Sequence, residues 1–257
     1  MLLTLFISSP LDQFEIKLFM GIMSPFYNIT NINITTITLY TFIVLIIIVS
    51  INLLLTNNNK IIGSRWYLVQ EIIYDTMQNI VKGQINGKYW GMYFPFIYTL
   101  FVFILISNLI SLIPYSFALT AQIIFIISLS IIIWLGATII GFTNHGIKFF
   151  SLFVPNGTPL PLVPLLIMIE LLSYIARALS LGLRLLCNIL AGHLLIIILA
   201  GLLLSFMTIN LFTIIIGILP FFIILAVLFL EFAIAIIQAY VWSILTCSYL
   251  KDTLYLH

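Results

Sequence analysis

Two stretches of this chain, residues 161–206 and 209–250, each run for more than 40 residues with almost nothing but apolar side chains. At about 1.5 Å rise per residue, either would form a helix roughly twice as long as the ~30 Å hydrocarbon core of a bilayer. A helix that is apolar along such a length and around most of its circumference belongs in lipid. Composition agrees: 63% of the 257 residues are hydrophobic, 6% are charged and mean hydropathy is +1.30. A water-soluble surface needs far more charge than that. The nine Lys and Arg are scattered and the net charge is only +2, so there is no basic patch to track a nucleic-acid backbone. Nucleic acid is excluded as a partner. Cys187 and Cys247 lie inside apolar runs without the spacing of a metal or redox pair, and both read as small buried hydrophobes.

The rest of the chain divides around further apolar runs within a single membrane domain, residues 1–257. Residues 1–38 form an N-terminal segment whose first apolar run lacks a basic flank and is interrupted by Ser8-Ser9-Pro10; it reads as a short leader or a loose end. Asn28-Ile29-Thr30 and Asn33-Ile34-Thr35 read as a polar approach to span 1, residues 39–55, which is followed by the stop Asn57-Asn58-Asn59-Lys60. Residues 64–82 place Val69, Ile72, Ile73, Met77, Ile80 and Val81 on one helical face and Arg65, Glu71, Asp75, Gln78 and Lys82 on the other, the pattern of a helix lying on a membrane. Spans 2 and 3, residues 91–113 and 121–142, are joined by Pro114-Tyr115-Ser116 and form an antiparallel hairpin. Gly157-Thr158-Pro159-Leu160-Pro161 is a polar loop. Each long segment is either two spans or one steeply inclined helix. No turn signal breaks the first near its middle, which favours two long helices, 161–206 and 209–250, both strongly tilted.

The expected fold is therefore an all-α polytopic membrane protein with five transmembrane helices and one amphipathic surface helix. Five spans put Lys60, Arg65, Lys82, Lys88, Lys148 and Lys251 on one side and only Lys17, beside Asp12 and Glu15, on the other. The positive-inside rule then turns the C-terminus toward the negative compartment, cytoplasm or mitochondrial matrix.

Glu170, Arg177, Arg184, His193 and Glu231 lie inside these apolar runs, where an ionisable group at the bilayer centre costs at least about 2.5 kcal/mol. Snorkelling to the headgroups is the alternative for Glu170 and Arg177 near a helix end. It fails for Arg184, which lies some 20 residues from either end of its run. Glu170, Arg177 and Arg184 are spaced by seven, so they share a face, whereas His193 lies about half a revolution past Arg184. Glu231 and Gln238, again seven apart, give the last helix its own polar stripe. Arg does not deprotonate in proteins, so Arg184 can repel protons or pair with a carboxylate but cannot pass a proton on.

The string Ser180-Leu181-Gly182-Leu183-Arg184-Leu185-Leu186-Cys187-Asn188-Ile189-Leu190-Ala191-Gly192-His193 resembles the signature of the ATP synthase subunit a family. The similarity extends over essentially the whole chain, through Asn57 to Gly63, Ile113 to Phe117, Gly157 to Pro161 and Tyr249 to Asp252, in the style of fungal mitochondrial members. The resemblance implies five transmembrane helices and a matrix-surface helix, the last two spans tilted against a rotating ring of subunit c. It places the family's essential arginine at Arg184, with Asn188 beside it. It also implies that His193 and Glu231 line the half-channel from the intermembrane space and that Gln238 lies deeper, facing the arginine. Glu170 matches the acid of the matrix half-channel and Asp252 an acid near its exit. Cys187 stands where relatives tend to have a smaller residue. The implied partners are the subunit c ring, peripheral-stalk subunit b, small membrane subunits, the lipid bilayer and protons. The implied location is the mitochondrial inner membrane with the C-terminus in the matrix.

No cofactor is implied, and no phosphate-binding glycine loop is present, so ATP chemistry is expected elsewhere and the chain is not expected to be catalytic alone. His193 and Glu231 could hold a divalent metal such as zinc, but two ligands are a weak basis for a site. A haem-bearing subunit would need paired axial histidines within spans, and only His193 qualifies, since His145 lies in a loop and His257 is terminal. A proton-coupled secondary transporter or antiporter-like subunit is the stronger rival, because it too uses charge at mid-membrane. It would carry an internal repeat, and none is visible.

Overall fold

The computed structural model describes residues 14–22, 32–56, 65–85, 87, 89–113, 116–154, 160–209 and 211–255. The leader up to Pro10, the Asn28-Ile29-Thr30 part of the polar approach, the Asn57 to Lys60 stop, Pro114-Tyr115, Gly157 to Pro159 and His257 lie outside the described residues. Among the described residues there are six α-helices: α1 (Thr36–Thr56), α2 (Arg65–Gln84), α3 (Trp90–Ser111), α4 (Ile123–His145), α5 (Val163–Ile209) and α6 (Leu211–Leu254). All but α2 are long and apolar enough to cross a membrane.

Much of α1 and α4 is Ile, Val and Thr, residues that favour strands in water. In hydrocarbon every backbone N–H and C=O must be satisfied within the segment, and the helix does this where an open strand cannot. Hydroxyls are handled the same way. Thr38, Ser50, Ser128, Ser205 and Thr246, among others, each donate to the carbonyl three residues back, at 2.7 to 2.9 Å, so these hydroxyls present no free donor to lipid. Pro95 and Pro220 lie within α3 and α6, a tolerance typical of membrane helices. The residues between Val163 and Ile209 form one continuous helix of 47 residues, and those of α6 one of 44; at 1.5 Å per residue these extend ~70 and ~65 Å.

One element has no counterpart in the sequence reading. Strand β1 (Leu18–Ile22) pairs antiparallel with β2 (Ile32–Thr35), with a register shift between Leu18 and Met20. The N–H of Thr36 donates to the Lys17 carbonyl at 3.0 Å, so the ribbon leads directly into α1. Ile32-Asn33-Ile34-Thr35 alternates apolar and polar residues as a strand should, but four residues are too short a signal to separate from a polar approach segment.

The described residues fall into two compact units. The first draws on Met1–Leu54, Phe103–Gln122 and Leu186–Gln238, and the second on Leu55–Val102, Ile123–Leu185 and Ala239–His257. In the first, Ala118, Ala121 and Ile189 form a small core against which Phe14 packs. In the second, Phe149, Phe153 and Tyr174 are covered by Trp134, Leu152 and Ile167. There, too, Tyr74 of α2 meets Phe94 and Tyr98 of α3 edge to face, at 4.8 and 5.5 Å between centroids. Met77 and Val81 of α2 are buried, while Val69 and Ile72 of the same apolar face are exposed. Among the described residues the first unit contains a single Lys or Arg, Lys17, whereas the second contains Arg65, Lys82, Lys148, Arg177, Arg184 and Lys251.

Candidate functional site

Each unit holds its own cluster of polar groups. In the first, α6 carries Glu231, which is only 3% exposed. Its carboxylate lies directly over Gly192 of α5: a Cβ built at Gly192 would stand 2.5 Å from Glu231 Oε1 and 2.9 Å from its Cδ. The missing side chain is thus what admits the carboxylate. The Phe14 ring meets the adjacent imidazole of His193 edge to face at 6.0 Å between centroids. Asn108 of α3 is fully buried and donates through Nδ2 to the Ala235 carbonyl at 3.2 Å, one turn past Glu231 on α6. Five buried atoms of this unit, Thr36 Oγ1, Asn108 Oδ1, Thr120 Oγ1, His193 Nε2 and Glu231 Oε1, have no hydrogen-bond partner within the chain. Buried polar atoms are nearly always satisfied, so each is a point at which water can be bound, and of these groups the imidazole and the carboxylate can also carry a transferable proton. The sequence reading named Glu231 and His193 but passed over Asn108 and Gly192. Asn108 carries the one signal that could have been used, an amide inside an otherwise apolar span.

The second cluster surrounds a cavity of about 340 Å³ lined by Leu152, Glu170, Tyr174, Arg177, Lys251, Asp252 and Tyr255. Arg177 Nη1 donates to Asp252 Oδ2 at 3.0 Å, with both side chains more than a third exposed. A pair so open to solvent contributes no more than ~1 kcal/mol. The Tyr249 hydroxyl donates to the Arg177 backbone carbonyl at 3.0 Å, and Tyr174 packs against Phe153 at 5.8 Å between ring centroids. Glu170 and Asp252, 82 positions apart in sequence, thus line one cavity. Arg177 joins them there, a residue the sequence reading placed on the Glu170 face without giving it a role.

The remaining expected residues stand apart from these linings. Arg184 is exposed on α5, Asn188 is half-buried and Gln238 is buried. Ser180, Cys187 and Ala191 are exposed too, at the spacing that keeps them on the Arg184 face. The expectation that both cysteines are buried holds for Cys247 and fails for Cys187: three residues after Arg184, it shares that open face. For a metal at His193 and Glu231, no third His, Cys, Asp or Glu completes a site among the described residues.

Comparison with known proteins gives a uniform result. The family model described as ATP synthase A chain matches residues 38–251. ATP synthase subunit a of Vanderwaltozyma polyspora is 69% identical over 252 residues, 98% of this chain and 99% of the relative. That of Kluyveromyces lactis is 65% identical over the full length of both, and that of Saccharomyces cerevisiae 65% identical over 100% of this chain and 99% of its own. Matched end to end by these relatives, and with five helices of membrane-spanning length, the chain is a multi-pass membrane protein belonging to the ATP synthase A chain family.

Proposed function

We propose that this chain is the stator half of the proton channel of an F-type ATP synthase, with the Glu231 cluster as its uptake half-channel, the Glu170 cluster as its release half-channel and Arg184 as the barrier between the two paths. Family membership supports the coarse role, a membrane proton-translocating subunit that is not catalytic by itself. Protons reach a carboxylate on subunit c by way of Glu231 and His193, ride on the neutralised ring through lipid, and leave past Glu170 and Asp252. Asn188 and Gln238 flank the transfer point as neutral hydrogen-bonding groups.

The observation that carries this reading is the open position of Arg184 on an apolar helix. A guanidinium facing lipid is expensive, and it cannot shed its proton to escape the cost. It is stabilised if a partner brings a carboxylate to that face, and the neighbouring Ser180, Cys187 and Ala191 are short enough to permit close approach of another helix. In that low dielectric its charge favours the ionised carboxylate, stripping the proton on arrival and refusing proton passage at all other times.

Subunit b and small membrane subunits are the further partners of this reading, and the mitochondrial inner membrane its place. Arg65, Lys82, Lys148 and Lys251, which five spans put on one side, support a matrix-side C-terminus. The rival reading, a proton-coupled secondary transporter, predicts a particle that functions without a ring. Native electrophoresis of gently solubilised membranes separates the two: comigration of this chain with an oligomeric subunit c is expected, and a solitary, transport-competent particle would sink the proposal.

A further inference from the structure

We propose that Gly87 and His145 are positioning residues for proton release, gripping the last turn of α6 so that Asp252 is held at the cavity mouth; the inference rests on the release-side reading of Asp252. The last carbonyls of a helix have no partner within it. On α6 one of them, that of Leu254, accepts from His145 Nε2 at 3.1 Å, which fixes the proton on that nitrogen. One residue further, the Tyr255 hydroxyl rests on Gly87, where a Cβ would collide with it. Gly87 has φ +124°, a conformation that side-chain-bearing residues rarely adopt. Two separate requirements therefore converge on glycine in the α2–α3 turn. The turn is itself braced by the Lys82 ammonium, 4.7 Å from the Trp90 ring centroid, and by Ile85, which is fully buried.

Asp252 lies two and three residues before these grips, on the same helical turn, and its own ion pair with Arg177 is too exposed to hold a fraying helix end. Tyr255 lines the cavity with Asp252, so a shift of the grip moves both the carboxylate and the wall beside it. The helix end is thus fastened to α4 through His145, to α5 through Arg177 and to the α2–α3 turn through Gly87, all within one compact unit.

The test uses the assembled complex in inner-membrane vesicles and compares proton-driven ATP synthesis per assembled complex for Asp252→Asn, His145→Leu, His145→Gln, Gly87→Ala and the double variant Asp252→Asn with His145→Leu. The expected result is a several-fold slowing by His145→Leu and by Gly87→Ala, and recovery to within about twofold of the unaltered protein with His145→Gln, whose amide can still donate. In the double variant the rate should be no lower than with Asp252→Asn alone, because both changes act on one carboxylate. If Asp252→Asn is itself without effect, the release-side reading of Asp252 falls and the inference with it. If Asp252→Asn slows synthesis while His145→Leu and Gly87→Ala do not, the grip is refuted and the reading of Asp252 survives. Losses that add in the double variant, or that merely follow the amount of complex assembled, also overturn it.

Discussion

Adding a single methyl group at Gly192 should damage proton uptake while leaving the helices intact. The new Cβ would stand 2.5 Å from Glu231 Oε1, 2.9 Å from Cδ and 3.2 Å from Cγ, whereas comfortable carbon contacts begin near ~3.5 Å. The carboxylate must therefore retreat by about 1 Å. Glu231 is 3% exposed and cannot swing into open space, so the movement has to come from an off-rotamer torsion or a backbone shift, at roughly 1–2 kcal/mol. Displacing a proton-transfer group by ~1 Å can cost up to about 10²-fold in rate, and a partial displacement here should cost on the order of tenfold. The assay is proton-driven ATP synthesis in vesicles, together with passive proton flux after the catalytic sector is stripped off. Gly192→Ala should lower both in parallel and leave the complex assembled and coupled. Glu231→Asp, one methylene shorter, withdraws the carboxylate from the new methyl. It should therefore be much less harmful in the Gly192→Ala background than alone. Normal flux in Gly192→Ala, or strictly additive losses in the double variant, would refute the reasoning.

Three further outcomes follow. Glu231→Gln removes the ionisable group without changing its size and should slow proton-driven synthesis without making the membrane leaky; an unchanged rate takes Glu231 off the path. Cys187, exposed on the Arg184 face, should react with a membrane-permeant maleimide when the chain is dissociated in detergent and be protected in the assembled complex, while buried Cys247 should resist in both; equal labelling of Cys187 in the two states means that its face is not covered. A cysteine at Lys148 should react with an impermeant thiol reagent from the matrix side alone, and one at Ser116 from the opposite side alone, and reversed labelling overturns the span count.

The helices were legible because hydropathy and length are summed over 20 or more residues, and in lipid the backbone has no competing way to satisfy itself. That same force makes α5 continuous through Arg184 and His193, where single polar residues do not supply a turn. What escaped was short or depended on tertiary contact. The β1–β2 ribbon involves nine residues and lies before the first span. The Gly192 contact and the Asn108 bond to Ala235 exist only because separate helices meet. Arg177 could be placed on the Glu170 face by counting sevens, but its pairing with Asp252, 75 residues away, has no local signal. Cys187 was misjudged because an apolar neighbourhood in sequence means burial only for a chain without a partner in the membrane, and Cys187 lies on a face this chain leaves open.

The central claim is that Arg184 alone keeps the two half-channels apart. Replacing it by Ala or Gln removes the fixed charge, and Arg184→Lys substitutes a group that can deprotonate in a low dielectric, so none of the three should couple. The direct measurement is quenching of a pH-sensitive dye in inverted vesicles, with the catalytic sector attached and with it removed. Arg184→Ala is expected to show no ATP-driven acidification while passive proton flow through the stripped membrane sector persists or rises. Normal ATP-driven acidification by Arg184→Ala would contradict the account.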